Sequence, residues 1–219
     1  RFSDGSTGIG EGTTIGGLTY CVESPESIQS AIDTYIAPAL KGKAGDDVNT
    51  AIQLMDKIVR GNRIAKAAVE IALWDGLGKR LGVPVSQLFG GQVHARMPVA
   101  WTLASGSSET DIAEALEMIE TRRHNIFKLK IGKRSVRDDV AHVAAIKRAV
   151  GDAGSVRVDI NQAWSLHDAR WGLKGLQDAG CELVEQPVQG RYVEAQSELT
   201  ANYEIAVMAD EVLNGPEDA

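Results

Sequence analysis

Cysteine is nearly absent. Cys21 and Cys181 stand 160 positions apart, and no CxxC pair occurs. That excludes a small disulfide-stapled domain and reads as two reduced thiols in a reducing compartment. No apolar run reaches the roughly 18 residues a transmembrane helix needs. A basic surplus is missing too: 23 Lys plus Arg stand against 30 Asp plus Glu, a formal charge of −7, which argues against a general nucleic-acid binder. The glycine-rich stretch Gly8-Ile9-Gly10-Glu11-Gly12 lacks both the G-x-G-x-x-G spacing and a following helix, so a dinucleotide site is set aside. What remains is ordinary for a globular protein: 219 residues, 43% apolar and 24% charged. Such a chain forms one or two domains with a sizeable core.

Two textures divide the chain. Residues 1–20, rich in glycine and threonine, suit a short strand followed by a loop. From about 25 to 82 the pattern is helical: Ser24-Pro25 is a start signal, further helices are expected over about 46–60 and 63–81, and Gly82-Val83-Pro84 ends the last. After about residue 97 short apolar runs at 98–103, 126–131, 156–160, 182–184 and 205–208 alternate with helical stretches. Strands alternating with helices imply βαβ units and a parallel sheet. The strand ends Leu103, Lys130, Asp159, Glu185 and Asp210 are 27, 29, 26 and 25 residues apart. A (β/α)₈ barrel of about 250 residues has about 31 per unit, so a partial α/β barrel of about five strands is expected. A doubly wound open sheet is the rival architecture. The expected division is a partial α+β N-terminal domain with linker over 1–92 and the partial barrel over 93–219. Both termini read as cut ends, so an internal fragment is expected, and the lack of a leader segment carries no information.

Polar groups recur where these strands end. Lys128 and Lys130 alternate, which puts both on one strand face. Asp159 and Asn161 alternate likewise, Glu185 precedes Gln186-Pro187, and Asp210-Glu211 closes the last run. In a parallel barrel the C-terminal strand ends gather at the rim that carries active sites. A single acidic residue after a strand is most often an N-cap. Three at regular spacing behind a lysine pair point instead to a hard-cation site of Asp159, Glu185 and Asp210, suited to Mg²⁺ or Mn²⁺. The four histidines, His94, His124, His142 and His167, show no ligand spacing and read as surface or satisfied residues. The tryptophans Trp74, Trp101, Trp164 and Trp171 are mostly packing residues; Trp101 is the exception, because its strand opens the barrel.

These motifs, in this order and spacing, resemble the enolase superfamily. The resemblance covers the whole chain, including Ala72-Leu73-Trp74-Asp75 and Leu88-Phe89-Gly90-Gly91 ahead of the barrel. Thr13–Tyr20 resembles the capping-domain loop of the muconate lactonizing branch, and Val99–Gly106 its first barrel strand. The resemblance implies cycloisomerisation of cis,cis-muconate, or a chloromuconate, to a muconolactone through a metal-stabilised enolate, as in catechol degradation. Asp159, Glu185 and Asp210 would hold Mn²⁺ or Mg²⁺. Lys130 would be the acid/base, its pKa lowered by Lys128 and the cation, and Lys128 would add positive charge. Ile15, Tyr20, Asn161 and Trp101 would contact substrate.

The resemblance also implies a small dicarboxylate substrate, a cytoplasmic location, a homo-oligomer (an octamer), and neither nucleic-acid nor membrane partners. The superfamily carries a further lysine on the strand after Asp210. The chain ends before it, so the chain alone is expected to be inactive. Other superfamily activities, dipeptide epimerase or o-succinylbenzoate synthase, remain alternatives. A barrel-like binding protein without turnover is the reading from a different class.

Overall fold

The structure, a computed structural model, describes residues 1–14, 18, 21–215 and 218. The chain forms two compact units, Arg1–Ala95 and Arg96–Ala219. Among the described residues no helix is long and apolar enough to cross a membrane.

The first unit is helical. Helix α1 (Pro25–Ala31) starts where expected: Ser24 caps it, its side chain accepting the Ser27 N–H while the Ser27 hydroxyl returns the bond to the Ser24 N–H. The helix widens through a π turn at Ile32–Ile36 into the short α2 (Ala37–Leu40). Asp47 caps α3 (Val48–Ile58) by accepting from the Thr50 N–H. The long α4 (Arg63–Leu81) ends at Gly82, whose left-handed backbone (φ 70°) closes the last turn. A single turn, α5 (Val85–Leu88), follows. Ile28, Ile36, Met55, Val59 and Ala65 form the core.

The strand expected within residues 1–20 does not form among the described residues. A strand needs a paired neighbour, and this segment lies on a helix instead. Gly8 and Gly10 press on the backbone of α4 so closely that a Cβ on either would fall 1.8 Å from the carbonyl oxygen of Ala72 or Ala68. The Ile9 N–H donates to Asp75 Oδ2 at 2.7 Å. The glycines are thus there for close approach to a helix.

The second unit alternates strand and helix: β1 (Trp101–Leu103), α6 (Ser108–Glu120), β2 (Ile126–Lys130), α7 (Val136–Val150), β3 (Ser155–Asp159), α8 (Leu166–Asp178), β4 (Leu183–Glu185), α9 (Val193–Asn202) and β5 (Ala206–Met208). Ser107, Ser135 and Ser165 cap α6, α7 and α8, each accepting an N–H three residues on. All neighbours pair in parallel, in the order β1-β2-β3-β4-β5. A doubly wound sheet reverses direction at a switch point, and this one does not. It is an arc of a (β/α) barrel.

Register then sorts the side chains. Leu103, Phe127, Leu129, Val156, Val158 and Val184 share one face and are buried against Val143, Ile146, Leu173, Leu176 and Leu199 of the helices. The opposite face carries Thr102, Lys128, Lys130, Arg157, Asp159 and Glu185. The strands therefore set an apolar layer against the helices and a charged layer on the concave side.

Candidate active site

Five of the expected residues, Lys128, Lys130, Asp159, Asn161 and Glu185, meet at the strand ends. Lys130 pairs in register with Asp159, and Asp159 with Glu185. The Lys128 ammonium lies between two carboxylates, 2.9 Å from Asp159 Oδ2 and 2.6 Å from Glu185 Oε2. Lys130 donates to the same Asp159 oxygen at 2.5 Å and to Asn161 Oδ1 at 3.0 Å. Asp159 is 1% exposed and Glu185 6%. A carboxylate this buried must be paired or hydrogen-bonded, and these are.

The two carboxylates respond in opposite directions. Burial alone would push Asp159 up, but hydrogen bonds from Lys130 and Lys128, and their charges, hold it below the usual carboxylate value. Burial pushes Glu185 up. Lys128 draws it back in part, while the charges of Asp159 and Asp210 add to the rise. Charge counting explains the split: Asp159 has two ammonium partners, whereas Glu185 shares one and faces two carboxylates. Burial lowers Lys128, and its bonds to Glu185 and Asp159 outweigh that, leaving it above the ordinary lysine value.

The turns after β3 and β4 hold three non-glycine residues in the left-handed region, Asn161 (φ 46°), Gln162 (φ 67°) and Gln186 (φ 37°). Such conformations cost on the order of 1–3 kcal/mol each and tend to collect at functional sites. Asn161 donates through Nδ2 to Glu211 Oε1 at 3.2 Å, while Glu211 Oε2 is buried without a hydrogen-bond partner. Glu211 closes the last strand in the sequence, yet nothing there marked it as a partner of Asn161.

The remaining expected residues are placed differently. Asp210 is exposed in the turn after β5, and its charge acts on Glu185. The structure does not bring Trp101 to this face. Trp101 shares the helix-packed side of its strand with Leu103, and its indole N–H donates to Glu114 Oε1 of α6 at 2.8 Å. Thr102 occupies the concave position. Ile15 and Tyr20 lie outside the described residues. Two of the histidines have partners elsewhere in the second unit: His142 of α7 is buried against α6 with Nδ1 2.7 Å from Ser108 Oγ, and His124 Nδ1 lies 3.0 Å from the Val99 carbonyl oxygen.

The donor set suits a hard divalent cation, being all carboxylate oxygen. The orphaned Glu211 oxygen and the repulsion that raises Glu185 both call for more positive charge here. Among the described residues, no three His, Cys, Asp or Glu side chains converge closely enough to hold an ion in the arrangement shown, because Asp159 and Glu185 are closed on Lys128. A cavity of 960 Å³ lies in the first unit beside Phe2, Ile36 and Leu73. It holds none of these groups, so chemistry rather than volume picks out the site. A polar cavity of 370 Å³ lined by Asn161, Gln162, Gln189 and Arg191 opens at the same strand ends.

Residues 1–90 match the model described as mandelate racemase / muconate lactonizing enzyme, N-terminal domain, and residues 111–219 match enolase C-terminal domain-like. The chain belongs to this enolase superfamily. Within the superfamily it is 54% identical over 217 residues to muconate cycloisomerase 1-1 of Acinetobacter lwoffii, covering 99% of this chain and 57% of that protein. It is 48% identical over 210 residues to chloromuconate cycloisomerase of Pseudomonas sp. strain P51, covering 96% and 57%. It superposes on the muconate lactonizing enzyme of Pseudomonas putida with a TM-score of 0.97 at 50% identity, covering all of this chain and 60% of that one. The superfamily chain thus spans somewhat over half the length of the relatives it matches. Enolase-superfamily enzymes use a divalent metal, generally Mg²⁺ or Mn²⁺.

Proposed function

We propose that the protein carrying this chain is a muconate or chloromuconate cycloisomerase. The observation that carries the reading is the Lys128 ammonium clasped by Asp159 and Glu185 with Lys130 beside it. It stands on a chain about half identical to such enzymes.

In the reaction one carboxylate oxygen of the substrate adds to the distant double bond and closes a five-membered lactone. The electron pair released from that bond moves toward the second carboxylate, and the carbon beside it takes a proton. A divalent cation held by Asp159, Glu185 and Asp210 would supply the positive charge that the second carboxylate requires. Preorganised charge of this type is commonly the largest catalytic contribution.

The chain's own residues do the rest. Lys130 Nζ, 42% exposed on its side chain and held against Asp159 and Asn161, is the group that donates the proton to carbon. Lys128 stays charged and keeps the two buried carboxylates in place before the substrate enters. Asn161, tied to Lys130 and Glu211, fixes the direction of the Lys130 amine. A small dicarboxylate substrate, Mn²⁺ or Mg²⁺ as the ion, a cytoplasmic location and a homo-octamer belong to the same reading.

The test is loss of cis,cis-muconate ultraviolet absorbance with full-length protein and Mn²⁺, repeated for Lys130→Ala. Turnover by the wild type and a loss of about 10²–10⁴-fold in the variant are expected for a positioned acid/base. A wild type that leaves muconate and chloromuconates untouched, or a variant that keeps its rate, refutes the assignment.

A further inference from the structure

Gln186 follows Glu185 at the end of β4. It is fully buried, at 0% exposure, and holds a backbone conformation that favours glycine. Its amide is saturated. Oε1 accepts from the backbone N–H of Asp210 at 2.9 Å and of Val212 at 3.3 Å. Nε2 donates to the Val188 carbonyl oxygen at 3.0 Å and to Gln196 Oε1 at 3.1 Å. A primary amide offers two acceptor and two donor positions, and all four are used. The main chain adds two ties: the Gln186 N–H donates to Met208 O at 2.9 Å, and its carbonyl accepts from the Gln162 N–H at 2.8 Å.

One buried residue thus binds the turns that leave three successive strands. Glutamate in this place would lack the two donors, leucine every polar group, and asparagine the reach. The connection to Asp210 is the telling one. Asp159 and Glu185 are already drawn together by Lys128, while Asp210 sits exposed in a turn whose backbone is held by Gln186. Gln196 supports the clamp from α9, accepting from Gln186 and donating to the Met208 carbonyl oxygen at 3.3 Å.

We infer that Gln186 is a positioning residue: by fixing the Asp210 backbone against β4 it sets how the third carboxylate meets Glu185 and Asp159, and so the affinity of the site for a divalent cation. The inference rests on the metal reading proposed above. It differs from a plain stability role, because loosening the clamp weakens cation binding in molecules that remain folded.

The experiment uses full-length wild type, Gln186→Met and Gln196→Leu. Mn²⁺ affinity is read from the paramagnetic resonance signal of the free ion and folding from thermal denaturation, with kcat taken at saturating Mn²⁺. Removing a group that orients a ligand typically costs about 10–100-fold in metal affinity. Gln186→Met should fall in that range, with Gln196→Leu between it and the wild type, and saturating Mn²⁺ should restore a larger share of kcat than low Mn²⁺ does. Wild-type affinity in folded Gln186→Met overturns the inference. Should that variant fail to fold, unchanged affinity in Gln196→Leu overturns it equally. A wild type that binds no Mn²⁺ overturns the metal reading itself, and this inference with it.

Discussion

Replacing Lys128 with methionine keeps the length of the side chain and removes the charge that two buried carboxylates share. Breaking a buried ion pair from one side costs about 3–5 kcal/mol. Two features reduce that here: the Lys128 side chain is 24% exposed, and Lys130 still bonds Asp159. The expected loss is therefore about 2–3 kcal/mol at pH 8. The loss should depend on pH in a defined direction. The folded-state pKa of Glu185 already lies above its usual value, and Lys128 is the group that draws it down. Without Lys128 it rises further. A raised carboxyl pKa favours the protonated folded form, a contribution fully present below the unfolded value and lost as pH rises through the folded one. The deficit of Lys128→Met should then grow from pH 5 to pH 8, by about 1.4 kcal/mol for each unit that the Glu185 pKa moves.

Urea denaturation of full-length wild type and variant at both pH values, followed by tryptophan fluorescence, measures this directly. Excess Mn²⁺ should recover more stability in the variant than in the wild type, since the two carboxylates are then free to bind it. A deficit equal at pH 5 and pH 8, or one below about 0.5 kcal/mol at pH 8, would show that Lys128 does not hold the carboxylates together.

Two further outcomes follow from packing and burial. Gly10→Ala should destabilise the first unit by about 1–3 kcal/mol, because its Cβ would stand 1.8 Å from the Ala68 carbonyl oxygen and helix backbone cannot give way; a melting temperature equal to wild type in thermal denaturation would contradict that close approach. Burial pushes the Cys181 thiol up to about 11. It should resist a thiol-specific disulfide reagent at pH 8 until urea is added, and its contribution to stability should be intact at neutral pH and disappear as pH rises through about 11. Rapid labelling in the native state would refute that burial.

Much of the second unit was legible from periodicity. Strand ends 25–29 residues apart gave the barrel repeat, and the alternation of Lys128 with Lys130 and of Asp159 with Asn161 placed those side chains on one face. The same parity argument bears on Trp101, which has the parity of Leu103 and so belongs with the apolar, helix-facing set. Its place on the strand that opens the barrel drew attention to it as a substrate contact, whereas its position in the alternation turns it toward Glu114. In the first unit the glycine- and threonine-rich stretch over residues 1–20 suggested a short strand followed by a loop. The local pattern is the same whether an extended segment pairs with a strand or lies along a helix, and only the neighbour distinguishes the two.

What the sequence determined by itself is the set of properties that travel along the chain: helix starts at Ser24, Ser107, Ser135 and Ser165, the alternation of strand with helix, and which side of each strand is charged. Each depends on residues within a few positions of one another. What only the tertiary structure decided depends on groups far apart in sequence and adjacent in space. Lys128 sits between carboxylates 31 and 57 residues away and draws both down; burial still leaves Glu185 above its usual value, while Lys130 and Lys128 together hold Asp159 below. Gln186 reads as an ordinary polar residue after a strand. Its role arises because folding buries its amide where the backbone of Asp210, Val212 and Val188 and the side chain of Gln196 converge, and a buried amide must satisfy every donor and acceptor it carries.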